Sequence, residues 1–188
     1  MTFFALVRHG ETDWNLYGRL QGSSDIPLND EGRAQAREAA HRLATQPWDL
    51  LVSSPLSRAA ETADIIGTEL GLERAATYPE LVERHYGAAE GLTEWEAYDQ
   101  WPWGDYPGLE LRQHVAIRGM RTMKLLADQH PDSSVIVVSH GGVIRAILDV
   151  LHHRRSQRIL NAAVSTVSFD GEGWHVHSIN GVGEVEAG

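Results

Sequence analysis

Cysteine is absent from this chain, so there is no disulfide framework, no cysteine-ligated zinc and no thiol nucleophile. Lysine is almost as scarce. Of the sixteen basic residues only Lys124 is a lysine, so any anion site has to be built from arginine. Long apolar runs are missing too, and nothing approaches the roughly 20 residues needed to span a bilayer. The first residues are not a charged segment leading into a long apolar run and a cleavage site, so a cytoplasmic protein with no membrane partner is expected. A net charge of −10 leaves no broad basic surface to displace counterions, which argues against nucleic acid as a partner. No GxxxxGK[ST] occurs, nor a GxGxxG after a strand, so nucleotide-binding frameworks are not expected.

What is present is an ordinary globular composition. With 188 residues, 42% of them hydrophobic and 22% charged, one domain over residues 1–188 is expected. Short apolar runs at 3–7, 50–53 and 135–139, and a weaker one near 75–78, read as strands. Asn29 is a candidate N-cap for a helix running to about Thr45, with Pro47 as the break. Ser54-Pro55 reads as an N-cap with proline in the first helical position. The stripe Ala59, Ala63, Ile66, Leu70 follows it, and Gly71 closes that helix. Residues 111–130 read as a long helix with Ala116, Met120, Met123 and Ala127 on its buried face. Residues 143–151 are apolar nearly all round, as in a well-covered helix. Alternation on either side of Asp170-Gly171-Glu172-Gly173 predicts a hairpin, and the tail from Gly181 is expected to fray. Strands alternating with helices predict an α/β three-layer sandwich, with a mainly parallel central sheet and helices on both faces.

Two stretches lack a sustained period. Residues 13–29 read as a loop. Residues 85–111 carry Trp95, Tyr98, Trp101, Trp103 and Tyr106 among six carboxylates, with no lysine or arginine. Such an insertion reads either as a lid over a site or as an excursion whose aromatics fill a satellite core.

The chemistry gathers at strand ends. Arg8-His9-Gly10 ends the first strand, Arg58 falls in the first turn after the second, and His140 follows the strand at 135–139. Ligands of open α/β sheets bind outside the carboxyl ends of the strands, so these residues are expected to converge. A lone histidine there is more often structural than catalytic. Two histidines and two arginines are a different matter, because packed like charges repel unless an anion lies between them. Arg8 and Arg58 suit a bidentate phosphate clamp, and His140 beside the Gly141 amide adds a donor. His9 is left facing the phosphorus, and Gly10 is expected to let the backbone approach a ligand closely. Histidines are numerous, but none is paired at HExxH spacing and no aspartate cluster flanks His9 or His140, so no metal is expected. His152-His153 reads as a solvated helix end, and His175 and His177 as exposed positions on a strand.

Arg8-His9-Gly10-Glu11-Thr12 with Asn15, Ser54-Pro55-Leu56-Ser57-Arg58-Ala59, Glu83 ahead of Tyr86-Gly87, and Ser139-His140-Gly141-Gly142 closely resemble the histidine phosphatase superfamily. That group contains the cofactor-dependent phosphoglycerate mutases and many small monophosphatases, and the resemblance runs from Leu6 to about Leu151. It implies a phosphoglycerate mutase-like fold and a His9 that is phosphorylated during turnover. It further implies that Arg8, Asn15, Arg58 and His140 bind the phosphoryl group and that Glu83 donates the proton. Gln21, Gly22, Tyr86 and Gly141 fall on the substrate side of the same motifs. Glu11, beside the nucleophile, has a weaker claim as the acid. Neither metal nor cofactor is implied.

The expected activity is a metal-independent hydrolysis of small-molecule phosphate monoesters. The alternatives are a cofactor-dependent phosphoglycerate mutase and a protein phosphohistidine or phosphotyrosine phosphatase. The acidic 85–111 stretch offers no cation for a second anionic group, so the far end of the substrate is expected to be neutral. The C-terminal hairpin is a candidate surface for a homodimer.

Overall fold

The apolar runs at 3–7 and 135–139 become the two central strands of one sheet, and their register builds the site. In the computed structural model, which describes residues 1–183, the chain begins with β1 (Thr2–Arg8), α1 (Asp13–Leu16), α2 (Asp30–Leu43), β2 (Leu50–Ser53), α3 (Ser57–Leu70) and β3 (Arg74–Thr77). Two 3-10 turns, Pro79–Leu81 and Gly87–Ala89, lead to α4 (Glu94–Gln100), α5 (Arg112–Gln129), β4 (Ser134–Ser139) and α6 (Gly141–Leu151). The chain then doubles back through β5 (Val164–Phe169), β6 (Trp174–Ile179) and β7 (Val182–Gly183). The seven strands lie in the order β3-β2-β4-β1-β5-β6-β7. The first four run parallel and the last three pair antiparallel.

Alternate residues of the central strands feed opposite layers, as a period of two requires. Phe4, Leu6, Val135 and Val137 face the core under α5 and α6, while Ala5, Val7, Ile136 and Val138 face α2 and α3. Both faces are covered, which is why these strands read as unbroken apolar runs rather than alternating ones. β1 and β4 are paired with Arg8 opposite Ser139, and the His9 amide donates to the Ser139 carbonyl at 3.0 Å. The two strands therefore end level, and the residues that follow them, His9 and His140, emerge together.

Several local expectations are corrected. Residues 13–29 are not all loop, because Thr12 and Asn15 form a capping box that holds the short α1. α3 starts at Ser57 with Leu56 as its N-cap, two residues later than Ser54-Pro55 suggests. The Ser54 hydroxyl is turned to His140 Nε2 at 2.8 Å instead. α5 buries Val115, Gly119, Thr122, Met123, Leu126 and Ala127, a face rotated from the expected one. Gly119 is the cause: a Cβ there would sit 2.9 Å from Ile147, so the bare backbone lets α5 settle onto α6. Asn29 does cap α2, accepting from the Gly32 amide at 2.8 Å. The hairpin turns where Asp170 Oδ1 accepts the Glu172 and Gly173 amides. The tail expected to fray from Gly181 is instead paired at 182–183 as β7, and for 184–188 that expectation lies outside the described residues. Among the described residues no helix is long and apolar enough to cross a membrane.

Candidate active site

His9 leaves β1 almost wholly buried, and its Nδ1 lies 2.6 Å from the Gly10 carbonyl. A carbonyl can only accept, so Nδ1 carries the hydrogen and Nε2 keeps its lone pair. Burial lowers the affinity of this imidazole for a proton well below the usual histidine value, and the charges of Arg8 and Arg58 lower it further. The ring is thus held neutral with one basic nitrogen outward. Its centroid lies 5.2 Å from that of His140, whose ring is kept neutral by burial and then by Arg58.

Arg8 and Arg58 flank this pair, and both are buried. Burial pushes the Arg8 guanidinium down to about 10, with Glu83 opposing that shift and Arg158 and Arg58 adding to it. Arg58 is lowered by burial as well, against the pull of Glu83, Asp25 and Glu90. Part of each fork is spent on the protein itself. Arg8 Nη1 donates to the Ile159 carbonyl at 2.7 Å. Arg58 donates to the Ser24 and Gly22 carbonyls at 2.7 and 2.8 Å, which pins the loop after α1. The Nε of each is buried with no acceptor among the described residues. Neither makes a salt bridge among the described residues.

Glu83 approaches from the segment after the first 3-10 turn. Its Oε1 accepts the Arg84 amide at 2.7 Å and its Oε2 the Gly142 amide at 2.9 Å. The glycine is required there, since a Cβ on Gly142 would lie 2.3 Å from Glu83 Oε1. Gly141, at the start of α6, packs beside Arg8, where a Cβ would meet Nε at 3.3 Å. Asn15 Oδ1 accepts from Thr12 and from Asn161 Nδ2, leaving the Asn15 amide NH2 as its free donor. Gln21 Oε1 likewise accepts from Thr12 Oγ1 at 2.9 Å. Tyr86 is half-buried, and burial pushes its phenol up to about 12, so it remains a neutral donor.

One cavity of about 780 Å³ joins these groups, lined by Arg8, His9, Asn15, Gln21, Gly22 and Arg58, and also by Glu83, Tyr86 and Gly141. Its size is that of a small-molecule site. His140 lies behind its wall, fully buried. Gly10 does not face the cavity. A Cβ on it would strike the Gly32 carbonyl at 2.2 Å, so this glycine serves the close packing of β1 on the start of α2. Glu11 also points away, accepting from Asn29 Nδ2 at 3.0 Å, and has no place at the cavity.

The sequence reading missed three supports. Glu90 takes the amides of Ser23, Ser24 and Tyr86 and both serine hydroxyls, tying the Arg58-bound loop to the 85–111 segment. Burial works against that carboxylate, yet the donors hold it below the usual range. Asn161 bridges the His9 carbonyl and Asn15 at 3.2 Å each. Ser54 orients His140. No local motif marks Glu90 or Asn161, and Ser54 carried only a capping signal.

The 85–111 segment supplies Tyr86, Thr93, Glu94 and Trp95 to the cavity rim. It is not a satellite core, for Trp95 is 77% and Trp103 91% exposed. It is also tied down: Glu110 pairs with Arg118 at 2.8 Å, and Arg19 bridges to Thr93. The cations missing from this segment arrive from elsewhere. Arg19, Arg84, Arg112, Arg145 and Arg158 all line the same cavity. A neutral far end therefore does not follow from the composition of 85–111. Among the described residues no three potential ligands gather to hold a metal ion.

The sequence model of the histidine phosphatase superfamily (branch 1) matches residues 4–181. An uncharacterized phosphatase, PhoE, of Bacillus subtilis is 38% identical over 96% of this chain and 95% of its own length. The metal-independent phosphoserine phosphatase of Arabidopsis thaliana is 35% identical over 100% of this chain and 84% of that protein. Proteins named as phosphoglycerate mutases also match. Among solved structures, a mycobacterial glucosyl-3-phosphoglycerate phosphatase complexed with VO3 superposes with a TM-score of 0.87. It is 31% identical, with 95% of this chain and 98% of that one covered.

Proposed function

The chain belongs to the histidine phosphatase superfamily, branch 1, and we propose that it hydrolyses small phosphate monoesters through a phosphohistidine on His9 without a metal ion. One observation carries this reading above the rest. The His9 ring is locked by Gly10 with Nε2 outward, between two buried arginines that have no carboxylate partner among the described residues. Relatives named as phosphatases, one of them metal-independent, support it.

Phosphoryl transfer asks for positioning and charge neutralisation more than for covalent ingenuity. The Nε2 lone pair attacks phosphorus in line, and the bond from phosphorus to the substrate's alkoxy oxygen breaks. Arg8, Arg58, the Asn15 amide and the Gly141 amide take up charge on the non-transferring oxygens, while Gly10 holds the Nδ1 hydrogen. Glu83, entering as the acid, gives its proton to the departing alkoxide and becomes a carboxylate. Water then attacks the phosphohistidine, its proton passes to Glu83, and the nitrogen–phosphorus bond breaks. His9 returns neutral and inorganic phosphate leaves. His140 stands behind His9 and Arg58 as a neutral imidazole, held by Ser54.

The test is turnover of a generic aryl phosphate in the presence of a chelator. Wild type is expected to be unaffected, and His9→Ala to lose on the order of a thousandfold or more, as removal of a covalent nucleophile does. Brief exposure to substrate should leave acid-labile phosphate on wild type and none on the variant. Activity abolished by chelation would overturn the reading. Isomerisation of 3-phosphoglycerate that depends on a bisphosphoglycerate primer would favour the mutase alternative.

A further inference from the structure

Behind the nucleophile, on the side away from the cavity, one peptide carries the orientation of the His9 ring. The Gly10 carbonyl that fixes the Nδ1 hydrogen belongs to the peptide joining Gly10 to Glu11. That peptide is trans, so its C=O and N–H lie in one plane and point opposite ways. Whatever holds the N–H therefore aims the C=O. The holder is Gln35 on α2, whose Oε1 accepts the Glu11 amide at 2.9 Å. The Gln35 NH2 donates in turn to Glu31 Oε1, one turn earlier on the same helix, at 3.2 Å. Each end of the side-chain amide meets a matching partner, so the network decides which atom is oxygen and which is nitrogen.

Two features make Gln35 more than a brace for the loop. The peptide before Gly10 is fixed from α3: the Gly10 amide donates to Thr62 Oγ1 at 3.1 Å, and that hydroxyl donates to the Arg58 carbonyl at 2.7 Å. The peptide after Gly10, the one that touches His9, is instead anchored from α2 by Gln35. Gly10 has no side chain to limit its rotation, so losing that anchor frees the carbonyl to turn. The contacts also form a chain, from Gln35 Oε1 to the amide hydrogen and from the carbonyl to the Nδ1 hydrogen, in which each bond polarises the next. As Nε2 bonds to phosphorus, positive charge grows on the ring and the Nδ1 hydrogen bond strengthens with it. Such a contact is stronger in the transition state than in the ground state.

Resting on the phosphatase reading, in which His9 is the nucleophile, we infer that Gln35 is a positioning residue for phosphoryl transfer. It holds the Gly10–Glu11 peptide so that the hydrogen stays on His9 Nδ1 and Nε2 remains the attacking atom. Gln35 does not line the cavity and acts only through this peptide. It therefore governs the rate of transfer and not the affinity for phosphate, which Arg8, Arg58 and Asn15 supply.

The test begins with Gln35→Met, which keeps the length and helix propensity of the side chain and removes its acceptor. The kcat/KM for an aryl phosphate should fall by about tenfold to a hundredfold, as when the partner orienting a histidine ligand is lost. Calorimetric binding of inorganic phosphate should stay close to that of wild type. NMR of the ring nitrogens, with the His9 signals identified by their absence from His9→Asn, should place the hydrogen on Nδ1 in wild type. In Gln35→Met it should be shared with Nε2 or moved there. The exchange variant Glu31→Gln/Gln35→Glu returns an oxygen to the Glu11 amide and a donor to its far side, and should recover most of the lost turnover. Gln35→Lys offers only donors and reaches water, so it should behave as Gln35→Met and takes its place if the apolar side chain hinders folding. Wild-type turnover in the single variants, a loss of phosphate affinity that matches the loss of rate, or a His9 hydrogen that stays on Nδ1 would overturn the inference. Absence of turnover in wild type would instead remove the phosphatase reading, while the NMR comparison would still decide whether Gln35 sets the His9 tautomer.

Discussion

The cavity has two ends built on opposite principles. At the inner end Arg8, His9, Arg58 and His140 are buried, and each ring or fork is fixed by a main-chain or side-chain partner. At the outer end Arg112, Arg158 and Trp95 are exposed, and the two arginines have no partner among the described residues. The inner end is preorganised for one small, highly charged group, where fixed donors in a water-poor site act most strongly. The outer end can vary without disturbing it. Such an inner end leaves the alcohol unspecified, and the relatives are named for different ones, phosphoserine and glucosyl-3-phosphoglycerate.

If the inner end works through placement, a small displacement there should cost rate without costing stability. Gly142→Ala provides such a displacement. The new Cβ would come within 2.3 Å of Glu83 Oε1, the mobile end of a side chain, so the carboxyl group moves aside while the backbone stays. Alanine in the first turn of α6 favours the helix by up to about 1 kcal/mol over glycine. The variant should melt no lower than wild type, yet lose on the order of a hundredfold in kcat, as expected when a reacting group is misplaced by an ångström. Full activity in Gly142→Ala would show that Glu83 does not need this position. An equal change at the outer end, such as Trp95→Ser, has no such lever.

The two ends were also unequally legible. Arg8-His9, Arg58 and His140 stand out because each follows an apolar strand, and parallel strands bring their ends to one edge. The reason for Gly10 did not, because its neighbour is Gly32, twenty-two residues away on α2. The start of α3 was misread because Ser54 answers to His140, eighty-six positions on, rather than to its own helix. The outer arginines were invisible for a related reason. They lie at 19, 84, 112, 145 and 158, and nothing in the spacing of those positions says that one cavity collects them. What a short motif encodes could be read, and what depends on distant segments meeting could not.

Glu90 joins the two ends and should give the next largest effect. Its two oxygens accept amides and hydroxyls from Ser23 and Ser24 and the amide of Tyr86. In Glu90→Gln one oxygen becomes an NH2, which turns a donor toward a donor and leaves part of the set unpaired. The cost should be on the order of 1–3 kcal/mol, or about 2–4 °C in melting temperature for each kcal/mol in a chain of this size. Because Arg58 holds the Gly22 and Ser24 carbonyls, KM for every substrate should rise together, whichever alcohol it carries. A rise confined to one alcohol would instead place Glu90 with the outer wall.

A pH dependence tests whether burial is what separates the inner end from the rim. Burial, then the neighbouring Arg8 and Arg58 charges, lowers His9 well below the ordinary histidine value of 6.5, and burial followed by Arg58 does the same to His140. Below pH 6.5 the unfolded chain takes up protons on both imidazoles while the folded protein does not. Stability must therefore fall as the solution is acidified and be fully present above 6.5, the direction required when the unfolded state binds more protons. Each ring contributes about 1 kcal/mol per pH unit within the window that runs from 6.5 down to its lowered folded value. The lowered carboxylates Glu90 and Glu110 act in the same direction but only below 4.5, so denaturant melts between pH 6.5 and 5 isolate the histidines. His9→Asn should remove about half of the slope, since it deletes one of the two buried rings and keeps an amide of similar size. A flat profile across that interval would mean that the free site admits protons as readily as the rim does, and the contrast between the two ends would then rest on geometry alone.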